Sequence, residues 1–525
     1  MEYSTTMPNP RQRGVLGTTI EVATRSLVQE ARQLLSQLGD GAMSIAAYDT
    51  AWVARLSQAD GADVPAFPKC LEWLRENQQP DGSWGGQNEY YCDRIISTLA
   101  AVLSLSRWNR HGRDDARCER GLQYIWEKAG LLAHDPFETV GFELIVPTLL
   151  EEAQRLGLRL PYGLFDRYRQ VRDKKLARIP ARMLYNRQNP AVYSLEFMGN
   201  NLDRELAAHV QEDNGSVGDS PSATAYFLSV WGEEPRARQY ISRVTSGESG
   251  GVVFCFPLEI FERAWVLYNF DLAGLLDEVA EEAQPHIGYL RGVWDDREGV
   301  AFSRWYSARD LDDTAVTFKL LHRAAQLWGD PQYRVSLDVF ETYAEKDHFR
   351  TFRFETDPSL SANIHLLDAL LLCPEEPAVH PMMEKILSFM RRTRSLRAFW
   401  FDKWHASPYY VTAHAILAAV GGCPDLVADA VFWIVQTQNA DGSWGYYHCP
   451  TVEETAYCLQ ALLTYERQVG GVPAETLDKG ADYLRACRWG QDYPPLWISK
   501  TLFAPLHVIE SAVISALAMY EQEIG

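Results

Sequence analysis

Apolar residues recur at i, i+3, i+4 and i+7 through nearly every long segment of the chain, while alternation with period two is scarce. The spacing predicts amphipathic helices over 18–38 (TTIEVATRSLVQEARQLLSQL), 270–283 (FDLAGLLDEVAEEA) and 452–469 (VEETAYCLQALLTYERQV). A mostly helical chain follows.

The breaks between helices repeat. Residues 73–85 read WLRENQQPDGSWG and residues 433–445 read WIVQTQNADGSWG, so W-x4-Q-x2-D-G-S-W-G recurs with identical spacing 360 residues apart. A degraded third copy, VQEDNGSVG at 210–218, keeps Gln211, Asp213, Gly215 and Ser216. In each, Gln ends a helix, Asp-Gly makes the turn, and Trp folds back on the helix end to stack its indole on the amide. A second repeat marks segments entering helices: SATAYFL (222–228), DDTAVTF (312–318), SANIHLL (361–367), VTAHAIL (411–417) and EETAYCL (453–459). Its matching positions 314, 361, 412 and 455 lie 47, 51 and 43 residues apart. That period suits a helix pair plus loops stacked around a ring. The expected fold is all-α, an α/α toroid whose inner helices start at one rim, with the separated turn motifs implying two such barrels.

Length agrees with more than one domain: 525 residues and 59.6 kDa. Fifty basic against seventy acidic side chains leave a net charge of −20, which excludes nonspecific binding to nucleic acid and makes an anionic membrane a poor partner. The nine cysteines are scattered without CxxC or zinc spacing, so they are read as reduced. The start MEYSTTMPNPRQRG has no apolar h-region, and no run of eighteen apolar residues occurs; HLLDALLLC from His365 is broken by Asp368. A cytoplasmic protein with no transmembrane segment is expected.

One run carries chemistry: Arg309-Asp310-Leu311-Asp312-Asp313-Thr314-Ala315. Three carboxylates within four residues repel one another, and FSRWYSA before them and AVTFKLL after them set the acids between an aromatic stretch and an apolar helix. Carboxyl groups crowded against apolar walls cannot all ionise, so the trio keeps a proton. A Brønsted acid aimed at an unreactive substrate such as an alkene needs that arrangement.

Asp310-Leu311-Asp312-Asp313-Thr314-Ala315 resembles the D-x-D-D-T-A motif of class II terpene cyclases, whose squalene–hopene relatives share the toroid and the Q-x-x-D-G-S-W turns. AAYDTAWVA (46–54) is similar to the S-A-Y-D-T-A-W-V-A stretch of class II diterpene cyclases. DKWHASPYYVTAH (402–414), EETAYCLQAL (453–462) and PLWISKTLF (495–503) resemble the bacterial members, halimadienyl diphosphate synthase included, and 174–199 resembles copalyl diphosphate synthases. The resemblance implies two barrels, β (1–57 plus 290–525) and γ (58–289), with the active cavity between them. The DDxxD motif of class I enzymes is not found, since Asp114-Asp115 and Asp295-Asp296 lack the third acid.

By that resemblance the chain is an isomerase. Asp312 protonates the terminal alkene of geranylgeranyl diphosphate, Asp310 and Asp313 orient the proton and absorb charge, and Asn363 hydrogen-bonds the acid. Trp305, Tyr306, Trp400, Tyr410, Trp497 and Phe254 are expected around the cation. Lys403 and Lys500 are expected at the diphosphate, and Glu212 with Asp213 at a Mg2+ ion beside it. The product, a bicyclic labdane-type or rearranged diphosphate, would pass to a separate class I synthase or a phosphatase; a homodimer is an open possibility. The L-H-S and P-N-V motifs that position a deprotonating water in ent-copalyl enzymes are replaced here by Val192-Tyr193-Ser194 and Val253-Phe254-Cys255, leaving Tyr193 as the candidate base. Farnesyl diphosphate turned into drimenyl diphosphate is the nearest alternative. A toroidal glycoside hydrolase or a binding scaffold is more remote.

Overall fold

The computed structural model describes residues 27–59, 62–109, 112–355, 357–395, 398–447, 449–487 and 493–524. Part of the helix predicted for 18–38 falls outside them; within them it runs through 27–37. The helix predicted for 452–469 is Val452–Gln468. The one predicted for 270–283 instead straddles the end of Glu259–Leu272 and the start of Ala280–Val293. The apolar period continues across the break, but Gly274 takes φ +69° and ends the first helix.

Helices Glu259–Leu272, Leu311–Trp328, Leu360–Leu370, Pro408–Ala419, Val452–Gln468 and Leu506–Ile524 each pack on the next, and the last packs back on the first. That closed ring is the inner wall of one α/α barrel. Ala280–Val293, Val379–Thr393, Pro424–Gln436 and Ala474–Cys487 lie against it from outside. A second ring runs through Ala47–Ala54, Tyr91–Trp108, Phe142–Arg155, the 3-10 segment Pro190–Met198 and Pro221–Trp231, which closes on Ala47–Ala54. Two hydrophobic cores follow the rings.

The cores differ from the expected β and γ limits at three helices. Ala47–Ala54 joins the core of 47–252, whereas Glu259–Leu272 and Ala280–Val293 join the C-terminal one. All eight residues of Ala47–Ala54 are buried. A helix buried on every side, polar Asp49 and Thr50 included, shows no exposed face to tell which ring it enters.

The repeats act as hydrogen-bonded latches. Trp84 Nε1 donates to Leu74 O at 2.7 Å and Trp444 Nε1 to Ile434 O at 2.8 Å, so each indole caps the helix before its turn. The motif glutamine reaches across instead: Gln78 Nε2 donates to Gly82 O (2.8 Å) and Arg117 O (2.9 Å), and Gln438 Nε2 to Gly442 O (3.0 Å) and Thr476 O (2.9 Å). Gly442 has φ +91°, and a Cβ there would sit 2.2 Å from Lys479 O, so the close approach to the next outer helix requires glycine. The threonines of the second repeat fasten each turn to its inner helix. Backbone N–H groups of Trp84, Val217, Val300, Trp400 and Trp444 donate to Oγ1 of Thr98, Thr224, Thr314, Thr412 and Thr455 at 2.8–3.1 Å.

The barrels meet at a short antiparallel hairpin, Trp497–Ile498 with Leu502–Phe503. Strand alternation divides it between the cores: Trp497 and Phe503 enter the C-terminal one, Ile498 and Leu502 the other. Among the described residues no helix is long and apolar enough to cross a membrane.

Candidate active site

Asp310 is the N-cap of helix Leu311–Trp328. Its backbone is extended (φ −133°, ψ 158°), and its Oδ1 accepts from Asp313 N at 2.8 Å. Two loops clasp this helix start, because Asp310 N donates to Val300 O (3.1 Å) and Leu311 N to Thr351 O (2.8 Å). The cap buries Asp310 and Asp313, at 4% and 5% exposure, and leaves the Asp312 side chain 16% exposed. Burial pushes the Asp310 carboxyl up to about 7, reinforced by the charge of Asp312. Burial pushes Asp313 well above the carboxylate range, and the charges of Asp310 and Asp312 push it further. At neutral pH the buried pair therefore holds a proton, as the crowding of the trio implied.

Asp312 opens onto a cavity of about 140 Å³ at the seam of the barrels. Its walls are aromatic and aliphatic: Tyr193, Phe254, Phe261, Phe302, Tyr306, Phe352, Trp404, Trp497 and Phe503, with Val140, Pro190, Leu258 and Ile498. Phe254 stacks on Phe503 (3.9 Å between centroids) and Phe302 on Tyr306 (4.4 Å). Such walls present π faces to a cation and few nucleophiles. Hydroxyl groups on them come from Thr351, Ser499, Tyr306 and Tyr193, whose hydroxyl lies 2.7 Å from Ser499 Oγ and donates to Phe254 O at 3.3 Å. Burial pushes the Tyr193 phenol well up, so it stays neutral.

The acid's partner is His365 on helix Leu360–Leu370, whose Nδ1 meets Asp312 Oδ1. Asn363 is elsewhere: its Oδ1 accepts from Phe349 N (2.9 Å) and its Nδ2 donates to Phe349 O (2.8 Å) and Ser359 O (2.7 Å). Asn363 faces another side of the helix from Asp312, and the backbone of Phe349 and Ser359 takes its amide. The available signal for His365 is an imidazole in the buried stretch of an inner helix. His414, on the next inner helix, repeats the signal, and its Nδ1 lies 3.1 Å from His365 Nε2.

Five expected wall and anion residues sit away from the cavity. Trp400 is another latch, with Nε1 donating to Met390 O at 2.9 Å. Trp305 lies under the Arg304 guanidinium (4.9 Å) outside the cavity. Tyr410 is one layer behind the wall, 4.9 Å from Trp497 and stacked on His405 at 4.5 Å. Lys500 is fully buried, and its ammonium donates to Glu196 Oε1 (2.7 Å), Ser220 Oγ (2.7 Å) and Ser222 Oγ (2.6 Å), which uses all three protons. Lys403 is half-buried, paired with Glu355 at 2.6 Å and donating to Asp357 O at 2.5 Å.

A separate polar basin of about 490 Å³ is lined by Tyr185, Asn186, Arg187, Gln188, His209, Glu298, Ser307 and Arg309. Arg353 lines the adjoining recess with Gln188, Ser307 and Arg309. Tyr306, Asp310 and Phe352, which line the cavity, are chain neighbours of these basin residues. Glu212 borders the basin, its Oε2 accepting from Ser307 Oγ (2.6 Å) and its Oε1 from Ser307 N (3.2 Å). Burial pushes its carboxyl up to about 7. Asp213 points to solvent at 83% side-chain exposure, with Arg187 3.5 Å away. Glu212 is engaged by Ser307 and Asp213 is solvated, so the two offer a Mg2+ ion few free oxygens of their own. Among the described residues no three His, Cys, Asp or Glu side chains group as metal ligands.

The raised value of Asp310 predicts a pH dependence. Above about 7 Asp310 ionises, and the trio loses the proton that this carboxyl carries. Any proton donation by Asp312 is expected to slow as pH rises through this value, read as a descending limb in kcat against pH. The folded state also binds more protons than the unfolded chain between 3.8 and about 7, so this group's contribution to stability is present at low pH and lost across that window.

Residues 353–487 match the squalene-hopene cyclase C-terminal domain family. The chain is 37% identical over 518 residues to a type B diterpene cyclase of Mycobacterium tuberculosis, covering 94% of this chain and 99% of that one. It is 33% identical over 471 residues to a chloroplastic (−)-kolavenyl diphosphate synthase of Tripterygium wilfordii, covering 86% of this chain and 55% of the relative. Against that plant relative it spans about half the length. Among solved structures, ent-copalyl diphosphate synthase of Streptomyces platensis superposes with a TM-score of 0.77 at 29% identity, covering 95% of this chain and 99% of that one. The Arabidopsis thaliana ent-copalyl diphosphate synthase superposes with a TM-score of 0.71 at 26% identity, covering 94% of this chain and 63% of that one.

Proposed function

Because the chain belongs to the class II diterpene cyclases, we propose that Asp312 protonates the terminal alkene of geranylgeranyl diphosphate and that a bicyclic, labdane-type or rearranged product leaves with its diphosphate intact. The observation that carries this reading is Asp312 itself. It is the most accessible carboxyl of a proton-holding trio, set in the wall of an aromatic cavity. The reaction redistributes atoms without gain or loss, which makes the enzyme an isomerase. Membership of this family sets aside the glycoside hydrolase and scaffold readings, and relatives named for diterpene chemistry do not favour farnesyl diphosphate. Incubating the purified protein and Mg2+ with the C20 and C15 diphosphates separately, then dephosphorylating and identifying the products, tests the reading. A bicyclic C20 alcohol is expected; inertness toward both substrates contradicts it.

The diphosphate belongs, on this reading, in the basin of Arg187, Arg309 and Arg353, where guanidinium forks suit phosphoryl oxygens. We propose that Mg2+ arrives with the diphosphate, which would supply the oxygens that Glu212 and Asp213 lack. Arg309→Gln is expected to raise KM by about tenfold or more, the loss of a charged hydrogen bond of about 1.5–3 kcal/mol, with a smaller change in kcat. Steady-state kinetics at fixed Mg2+ measures it.

Tyr193 with Ser499 is the hydroxyl pair we place at termination. A neutral phenol takes the final proton only through its hydroxyl network, so Tyr193→Phe is expected to redistribute products while substrate consumption stays within about fivefold, as losing one acid–base contact after the first protonation implies. Gas chromatography of the dephosphorylated alcohols reads the change. The retained diphosphate assigns the next step to a separate class I synthase or phosphatase, and we place the reaction in the cytoplasm.

A further inference from the structure

The cavity accounts for how Asp312 meets a substrate, but not for how its proton stays directed at one. Asp312 has two oxygens, and Oδ1 faces His365 Nδ1. If Nδ1 were bare, the acid would donate its proton to the imidazole, and the alkene would face a carboxylate. If Nδ1 carries hydrogen, it donates to Oδ1 and leaves the acid proton on the other oxygen. The tautomer of His365 therefore decides whether the trio is an acid at all.

The far nitrogen of His365 settles the tautomer. His365 Nε2 and His414 Nδ1 lie 3.1 Å apart, both rings are 2% exposed, and one hydrogen sits between them. His414 Nε2 is buried with no protein partner. A buried N–H left without an acceptor is rarer than a buried lone pair left without a donor. His414 thus carries its hydrogen on Nδ1 and donates it to His365 Nε2, which forces the hydrogen of neutral His365 onto Nδ1.

What packs around His414 keeps it neutral and fixed. Tyr268 stacks on it at 5.7 Å, Tyr410 lies at 4.5 Å, and Trp265 and Tyr457 close the sides at 5.9 and 5.5 Å. Burial pushes its imidazole well below the usual value, and the charge of Lys319 acts in the same direction. Lys319 is itself held by Asp368 at 2.7 Å and Asp271 at 3.8 Å, and His405 by Glu453 at 3.3 Å.

We propose that His414 is a positioning residue for the cyclisation: by donating from Nδ1 to His365 Nε2 it holds His365 as the Nδ1–H tautomer, so that His365 donates to Asp312 Oδ1 and the acid proton stays on the oxygen that faces the alkene. When that proton moves to the alkene carbon, the O–H electron pair stays on Asp312 and the new carboxylate already has the His365 donor beside it. This rests on the cyclase reading, but its first test does not need turnover. Nitrogen-15 NMR of histidine-labelled wild-type protein is expected to show His365 protonated at Nδ1 and bare at Nε2; the reverse tautomer overturns the proposal whatever the activity. His414→Leu is expected to lower kcat about 100-fold, at the lower bound of misplaced acid–base groups, with KM within threefold. His414→Gln, which keeps an N–H donor, recovers most of that loss. A Leu variant that folds and turns over within threefold of wild type overturns it, and so does a Gln variant as impaired as Leu. Wild type that is inert toward isoprenoid diphosphates yet shows the expected tautomer instead removes the cyclase reading.

Discussion

Asp312→Asn is expected to abolish cyclisation, with kcat falling by at least ~10³-fold while the fold and substrate binding persist. The amide is isosteric with the acid and can still meet His365, and the side chain is 16% exposed, so its replacement strands no deeply buried charge. It cannot deliver a proton to carbon, which is the step that creates the cation. Asp310 and Asp313 also border the cavity, but both are buried at the helix start, where Asp310 Oδ1 is taken by Asp313 N. Product formation measured beside thermal unfolding and substrate binding separates the outcomes: a folded, binding, inactive variant is expected, and retained turnover would assign the acid elsewhere.

Lys500→Met is expected to fail for a different reason. The ammonium is buried with Glu196, and both side chains are inaccessible. Glu196 also accepts from Tyr48 OH at 3.0 Å, and Asp49, whose carboxyl burial pushes up to about 7, feels the Lys500 charge that holds it down. Removing one partner of a buried pair typically costs about 3–5 kcal/mol because the other charge is left uncompensated. Lys500→Met should therefore lower the urea midpoint by the equivalent of that loss, and adding Glu196→Gln should restore much of it. Lys500 was a diphosphate candidate on resemblance alone. A variant of wild-type stability with KM raised tenfold or more would return it to that role.

The fold was legible because its signals are local and repeated. A glutamine that bridges to the next helix and a glycine that a Cβ would clash out recur at fixed spacing, and a threonine that holds the turn recurs near the start of the inner helices. The acid trio was legible for the same reason, being three charges within four residues. What the sequence left open depends on direction. Asn363 and His365 are two residues apart on one helix, so they point to different sides, and periodicity shows the apolar face without saying which neighbour it meets. Trp400 and Trp497 are the same residue type in motif-flanking positions, yet one caps an outer helix and the other, on the seam hairpin, faces the cavity. The arginines of the basin come from 187, 309 and 353, and only the closure of two rings brings them together. Helix Ala47–Ala54 was assigned to the wrong ring because burial on every side erases the polarity that names a partner.

Protonation at carbon is the central claim, and one measurement addresses it directly. Geranylgeranyl diphosphate is turned over in deuterated buffer with Mg2+, and the dephosphorylated product is weighed by mass spectrometry. The account predicts a bicyclic C20 product carrying one non-exchangeable deuterium, with no inorganic diphosphate released before the phosphatase step. A product without deuterium, or diphosphate set free during turnover, would contradict it.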